Sequence, residues 1–297
     1  MFARLKPTEF ERCLVSWITA LHEVTEGQIL PIDGKTLRGS YDRADGKAAI
    51  HVVSVWATQN HLSLGSVVVD EKSNEITAIP RLLGLIDISG ALVTLDAMGC
   101  QKEIAGKILD EGGDFVLAVK ENQPTLYAAT MDFFDKHMAN GFADAPHRWH
   151  VTEDKGHGRQ ERRGYFVAPV PEDFPVLDQW PGVKALGVAT TVSQRDGKES
   201  SENRYYILSR YVSGRRFAEA VRGHWGIENH LHWQLDVTFR EDDLRIHKDH
   251  APANMSILMR TALSLLKNET SNRRGIATNR LVAGWDEKYL EKVLTGT

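Results

Sequence analysis

The chain has 297 residues and a formal net charge of −4, with 42% hydrophobic and 26% charged residues, which excludes global disorder and leaves ample length for a core without disulfide or metal staples. No apolar run approaches the roughly 20 residues that cross a bilayer, and the start carries Arg4, Lys6, Glu9, Glu11 and Arg12, unlike a secretory signal. Cys13 and Cys100 supply neither a disulfide framework nor a four-thiolate zinc site and read as reduced thiols of a cytosolic protein.

Residues 7–24 read as an amphipathic helix, with Thr8 as cap, Glu11 completing a capping box, and Phe10, Leu14, Trp17 and Leu21 on one face. A short apolar run then ends in Asp33-Gly34, with Pro31 favouring an edge or strand-start position. Residues 48–57 and 62–70 read as strands of a hairpin joined by 58–61. Residues 75–86 form a helix capped by Asn74, and 91–96 a buried strand ending in Asp96. A helix over 101–111 stops at Gly112-Gly113; a buried strand over 115–119 and a helix over 123–137 follow.

Antiparallel strands followed by strands that return through helices predict a mixed sheet with helices on its faces. This is the α/β pattern of a ribonuclease H-like core, which other α/β folds can share. From Gly141 to about Arg210 helical texture vanishes, and 151–152, 164–169, 183–193 and 203–209 read as strands, with Asp196-Gly197 as a hairpin turn. Helices resume at Ser213, a plausible cap. The expected organisation is an N-terminal helical remnant (1–27), the first part of the core (28–140), a β-rich insertion (141–211) and a C-terminal helical part completing the core (212–297).

Asp33 and Asp96 each end an apolar strand, where ligands of α/β sheets gather. Two carboxylates held together there would need a cation between them, and oxygen ligands favour Mg²⁺ over zinc. Each aspartate taken alone reads equally as a turn or helix cap. Phe217, Val221, Trp225, Glu228, His232 and Leu235 define one helical stripe, so Glu228 is expected to face inward. It would then be protonated, metal-bound, or paired with an arginine such as Arg222 or Arg81. His224, Glu228 and His232, at i, i+4 and i+8, form a weaker zinc alternative; hydrogen bonds from the histidines to acids or phosphate fit better. Trp225 and Trp233 could stack on bases, but core packing is the commoner use of tryptophan. Between Arg204 and His224 stand five arginines against Glu219; charge alone assigns them to surface acids.

Several long motifs occur in order: I-D-G-K-T-L-R-G-S (32–40), E-K-S-N-E-I-T-A-I-P (71–80), L-D-A-M-G-C-Q-K-E-I-A (95–105), F-V-L-A-V-K-E-N-Q (115–123), H-G-R-Q-E-R-R (157–163) and H-W-G-I-E-N-H-L-H-W-Q-L-D-V-T-F-R-E-D (224–242). With these the chain closely resembles the ISAs-type insertion-sequence transposases of the DDE class, the H-repeat-associated proteins. The resemblance implies a ribonuclease H-like core with a β-rich insertion before the glutamate helix. It further implies Asp33, Asp96 and Glu228 as catalytic and metal-binding residues, and two Mg²⁺ or Mn²⁺ ions. Lys35, Lys72, Arg159, Arg162, His224 and His232 become DNA-contact candidates. The implied activity is metal-dependent strand cleavage, followed by attack of the freed 3′-hydroxyl on target DNA.

The implied partner is double-stranded DNA bound by a homodimer, in a bacterial cytoplasm and without a membrane. Related transposases carry a Tyr, Arg, Glu, Lys signature; here its positions hold Val221, His224, Glu228 and Leu235, so only the glutamate matches. Relatives also carry a region ahead of the segment that here starts at Met1, so an N-terminally shortened copy is expected. Two other readings stay open: an inactive relic that only binds DNA, and a ribonuclease H-like nuclease of host DNA metabolism.

Overall fold

The computed structural model describes residues 2–22, 27–42, 46, 48–69, 74–156, 159–180, 182–195 and 198–296. The chain divides into two compact units, one of Met1–Asp87 with Trp225–Thr297 and one of Ile88–His224.

In the first unit a 3-10 turn (Phe2–Arg4) leads into α1 (Pro7–Leu21). Pro7 opens the helix, where its missing N–H costs nothing, and Lys6 precedes it with no side-chain cap. The expected Thr8–Glu11 capping box is therefore not formed. Ile18 is the fully buried residue of this helix, and the expected end at Val24 lies outside the described residues. Glu11 turns instead to β3 and accepts a hydrogen bond from the Ser66 hydroxyl at 2.5 Å. Burial pushes its carboxyl up to about 7, against the opposing pull of Ser66 and Arg260.

The folded state thus holds a proton that the unfolded chain releases above its ordinary value of 4.5. Stability from this group is complete at low pH and is lost as pH rises toward about 7, in total about 3 kcal/mol. Glu11→Gln is expected to raise the Tm at pH 8 by several degrees and to leave it nearly unchanged at pH 5. Thermal melts at the two pH values check this; an equal shift at both would refute it.

β1 (Ile29–Thr36), β2 (His51–Ala57) and β3 (Leu62–Val69) form the expected antiparallel meander, with Ile32 opposite Val55 and His51 opposite Val69. Pairing of β1 with β2 starts at Ile32, so Pro31 withholds no donor from that ladder. Val53, Val55, Trp56 and Leu62 are fully buried. α2 (Glu75–Leu83) is capped as expected: the Asn74 side chain accepts from the Thr77 amide.

In the second unit, β4 (Leu92–Leu95) and β5 (Asp114–Val119) run parallel, joined through α3 (Lys102–Asp110). Gly112, with φ of +76°, ends that connection in the left-handed region. After α4 (Pro124–Ala139) come β6 (Arg148–Gly156), β7 (Arg159–Pro169), β8 (Ala185–Arg195) and β9 (Lys198–Leu208). The strand order is β4-β5-β9-β8-β7-β6, antiparallel beyond β5. These last strands run several residues longer than their apolar segments predict. Their polar ends pair with each other in solvent, where hydropathy carries no signal. The predicted Asp196-Gly197 turn lies outside the described residues.

α5 (Gly214–Ile227) is capped by Ser213, whose hydroxyl accepts from the Arg216 amide at 3.1 Å. The helix passes without a break into a π-turn (Glu228–His232) and α6 (Trp233–Val237); α7 (Ala251–Asn268), α8 (Ile276–Trp285) and α9 (Glu287–Thr295) complete the first unit. Parallel and antiparallel strands flanked by helices give the mixed α/β class expected of a ribonuclease H-like core. No helix among the described residues is long and apolar enough to cross a membrane.

Candidate active site

Alternation along β1 sends Asp33 and Lys35 to one face and Gly34 and Thr36 to the other. On the second face His51 bridges two groups. Its Nε2 donates to Glu75 Oε1 at 2.6 Å, and its Nδ1 accepts from the Thr36 hydroxyl at 2.9 Å. A side chain at position 34 would meet the His51 ring and the Glu75 carboxylate, so any residue but glycine there has to displace that hydrogen-bonded pair. The strand is thereby held from behind at the point where Asp33 projects.

Glu228 opens a π-turn (Glu228–His232). The Trp233 amide reaches back five residues to the Glu228 carbonyl, so one extra residue fits into that turn. The predicted inward stripe holds only in part. Phe217, Val221, His232 and Leu235 are buried, but Trp225 and Glu228 are exposed. Glu228 therefore has no burial to offset through an arginine; Arg222 pairs with Asp154 at 3.1 Å instead.

His232, only 2% exposed, donates from Nδ1 to Glu228 Oε2 at 3.1 Å, and the same nitrogen lies 3.6 Å from Asp33 Oδ2. Its Nε2 is buried without a hydrogen-bond partner. Burial, with Arg260 and Lys35 nearby, pulls the imidazole pKa well below its ordinary value against the pull of Glu228. The ring is thus neutral at pH 7. Asp33, Glu228 and His232 each offer a ligand atom within 4.8 Å of the others, the one such group among the described residues. Two carboxylates gathered beside a neutral imidazole repel each other unless a cation joins them. This donor set fits a hard divalent ion of the Mg²⁺ or Mn²⁺ kind.

Lys35 is expected at DNA phosphates and His232 at an acid or a phosphate; both have inward partners, His232 the acid Glu228. Lys35 is 8% exposed, and its ammonium meets Asp236 at 2.7 Å, Asp242 at 3.1 Å and Glu241 at 3.2 Å. Burial alone would lower its pKa, but the three acids outweigh burial and raise it. Glu241 (3% exposed) also accepts from Arg260 (1% exposed) at 3.0 Å and from Ser256 at 2.7 Å. Arg260 further donates to Ser54 of β2 at 3.2 Å. Sequence reasoning missed this buried network. Its one signal was an arginine on the apolar side of α7, in register with Ile257 and Ser264.

Asp96 belongs to the second unit and follows β4. Its Oδ1 accepts from the amides of Met98 (2.9 Å) and Gly99 (3.2 Å), which pins the carboxylate at the strand end. His224 of the same unit lies with Nδ1 3.2 Å from Thr94 Oγ1. Burial lowers its pKa, while Asp96 and Thr94 oppose the fall. Cys100 is buried, and burial together with the Asp96 charge pushes its thiol up to about 12, leaving it inert. The His224–Glu228–His232 zinc alternative is not formed: Asp33, not His224, joins Glu228 and His232.

Arg159 and Arg162 lie exposed on β7, beside Glu161 and Glu153 respectively; Lys72 is outside the described residues, as are His157 and Gly158 of the same motif. The arginines between 204 and 222 pair as charge alone assigns them: Arg204 with Glu202, Arg210 with Asp114, Arg215 and Arg216 with Glu219, Arg222 with Asp154. Trp225 and Trp233 depart from the core-packing expectation, each being 51% exposed.

Known proteins resemble this chain along most of its length. A family model described as the transposase DDE domain matches residues 25–265. The chain is 38% identical over 298 residues to the Escherichia coli K12 protein named "H repeat-associated putative transposase YhhI", covering 99% of this chain and 78% of that protein. It is 42% identical over 289 residues to the E. coli O157:H7 protein named "Putative transposase YncI", covering 96% and 73%. A further K12 relative, "Putative protein YbfL", is 38% identical over 298 residues, with 99% and 78% covered. With the family model spanning most of its length and such relatives along nearly all of it, this chain belongs to the DDE transposase family.

Proposed function

We propose that the chain cuts and joins DNA strands as the transposase of an insertion sequence, with Asp33, Asp96 and Glu228 as its catalytic carboxylates and two divalent ions, Mg²⁺ or Mn²⁺, as cofactors. The observation that carries this reading is the gathering of Asp33 and Glu228, from β1 and the π-turn, beside a neutral His232. Bound ions of this kind supply Lewis acidity and a nucleophilic oxygen at neutral pH. Asp33 and Glu228 would hold such an ion through carboxylate oxygens. His232 fixes the Glu228 rotamer by its Nδ1–H bond and adds no charge that would compete with a cation. Asp96 brings a third carboxylate, held by two backbone amides.

In the proposed sequence a water oxygen bonds to the scissile phosphorus and the P–O3′ bond breaks, leaving a free 3′-hydroxyl. That hydroxyl then bonds to a phosphorus of target DNA and releases the target's own 3′-hydroxyl. No covalent protein intermediate is required. Arg159 and Arg162 are the proposed phosphate contacts on exposed surface, with Lys72 from the same set of motifs. A homodimer on double-stranded DNA is part of the same reading.

The test is nicking of DNA that carries the element's ends, with and without Mg²⁺, for the wild type, Asp96→Asn and Glu228→Gln. Metal-dependent nicking lost in both variants is the expected result. Undiminished nicking by either variant rejects the assignment.

A further inference from the structure

Two links join β1 to the helical segment of Glu228. At the first, His232 Nδ1 lies 3.1 Å from Glu228 Oε2 and 3.6 Å from Asp33 Oδ2. At the second, one turn further along the helix, Asp236 takes the Lys35 ammonium at 2.7 Å. Two residues of strand, Asp33 to Lys35, advance about 6.6 Å. Four residues of helix, His232 to Asp236, advance about 6 Å. The two spacings match, so both links can close without distorting either element. The ammonium also meets Asp242 at 3.1 Å and Glu241 at 3.2 Å, in the turn after α6. Asp242 in addition accepts from the Arg38 amide at 3.2 Å, which ties that turn to the chain just after β1. A lysine that is 8% exposed and held by three acids is fixed in place, unlike a surface lysine on its flexible stem.

We propose that Lys35 is a positioning residue for the metal-holding carboxylates: by clamping β1 to α6 it fixes the separation of Asp33 and Glu228, and it touches neither metal nor DNA; this rests on the transposase reading given above. Two other roles for a lysine here predict different outcomes. A cation close to the carboxylates repels a metal ion, so a purely electrostatic Lys35 would weaken metal binding, and its removal would tighten it. A Lys35 that served a DNA phosphate would lose DNA affinity on removal and leave the metal site as it was. Removal of a clamp has the opposite sign to the first and a different target from the second. The carboxylates lose their common register, and metal affinity falls although a repelling charge has gone. Residues that orient metal ligands change affinity by roughly 10- to 100-fold.

The experiment measures Mn²⁺ binding to the full chain through loss of the free-ion electron paramagnetic resonance signal. It compares the wild type, Lys35→Met, Lys35→Arg, and Lys35→Met combined with Asp236→Asn. The double variant removes one charge of each sign and strands fewer acids, so it carries the test if Lys35→Met does not fold; near-ultraviolet circular dichroism decides that. Lys35→Met and the double variant are expected to bind Mn²⁺ roughly 10- to 100-fold more weakly than the wild type, and Lys35→Arg to recover most of the loss. DNA affinity in EDTA should stay at the wild-type value throughout. Unchanged or tighter Mn²⁺ binding in a folded methionine variant would overturn the proposal. So would a fall in DNA affinity in EDTA, Lys35→Arg no better than Lys35→Met, failure of both methionine variants to fold, or a wild type that binds no Mn²⁺. Failure of the transposase reading is recognised separately: a wild type that binds Mn²⁺ and loses it with the clamp, yet never nicks DNA, refutes the reaction and leaves the positioning role standing.

Discussion

Asp33→Asn is expected to lower metal-dependent nicking by about 1000-fold or more while leaving the fold intact. The change keeps the size of the side chain and removes its charge. Asp33 Oδ2 stands 3.6 Å from the His232 ring nitrogen that also holds Glu228, so the loss falls within the one gathered group of metal-capable atoms among the described residues. A metal site contributes several kcal/mol to stabilising charge in such a transition state, and each 1.36 kcal/mol is tenfold in rate. The same substitution relieves repulsion between two carboxylates, so the metal-free variant should melt at or slightly above the wild-type temperature. Added Mn²⁺ should raise the wild-type Tm and leave the variant's nearly unmoved. Nicking assays and melts with and without Mn²⁺ check both halves. A variant that still nicks at the wild-type rate removes Asp33 from the reaction.

The largest effect on stability is expected at Arg260. It is buried in α7 and donates to Glu241, Ser256 and Ser54, tying α7 to the segment after α6 and to β2. Arg260→Met fills much of the volume but leaves Glu241 buried with Lys35 as its remaining cation. Breaking a buried pair from one side costs about 3–5 kcal/mol. Burial pushes the Glu241 carboxyl up, but Arg260, Lys35 and the Ser256 hydroxyl together outweigh it and hold the group below its ordinary range. A depressed acid contributes stability above its unfolded pKa and loses it as pH falls through the folded value. The gap between variant and wild type should therefore be widest at neutral pH and narrow on acidification, as Glu241 takes up a proton. Adding Glu241→Gln to Arg260→Met should recover part of the loss by removing the stranded charge. Denaturant titrations at pH 7 and below pH 4 measure this; a loss under about 1 kcal/mol at pH 7 would show that the network is not structural.

The network also bears on the candidate site. Lys35 lies two residues from Asp33 on the same face of β1, and its three acids come from α6 and the turn that follows it. The π-turn with Glu228 leads directly into α6. One buried cation thus ties the strand of Asp33 to the helix of Glu228. The glycine at 34, backed by His51 and Glu75, holds the opposite face of the same strand.

Local chemistry was legible in the residues. Asn74 as a cap, Ser213 as a cap, Gly112 as a helix stop, the β1–β3 meander and the parallel return through α3 follow from periodicity, capping and turn preferences that act over a few residues. So did the family, because its motifs are contiguous strings. What neighbours in sequence cannot encode is which faces meet. The stripe that an ideal helical wheel turns inward is buried at Phe217, Val221, His232 and Leu235 but leaves Trp225 and Glu228 exposed, because distant segments decide which parts of a helix face are covered. The partners of Lys35 lie some 200 residues onward, and burial made that lysine an internal counter-ion and His232 a neutral hydrogen-bond donor. The sequence by itself determined the elements and the family. The tertiary structure decided the charge state and direction of each polar side chain, because both depend on desolvation and on cations brought from distant parts of the chain.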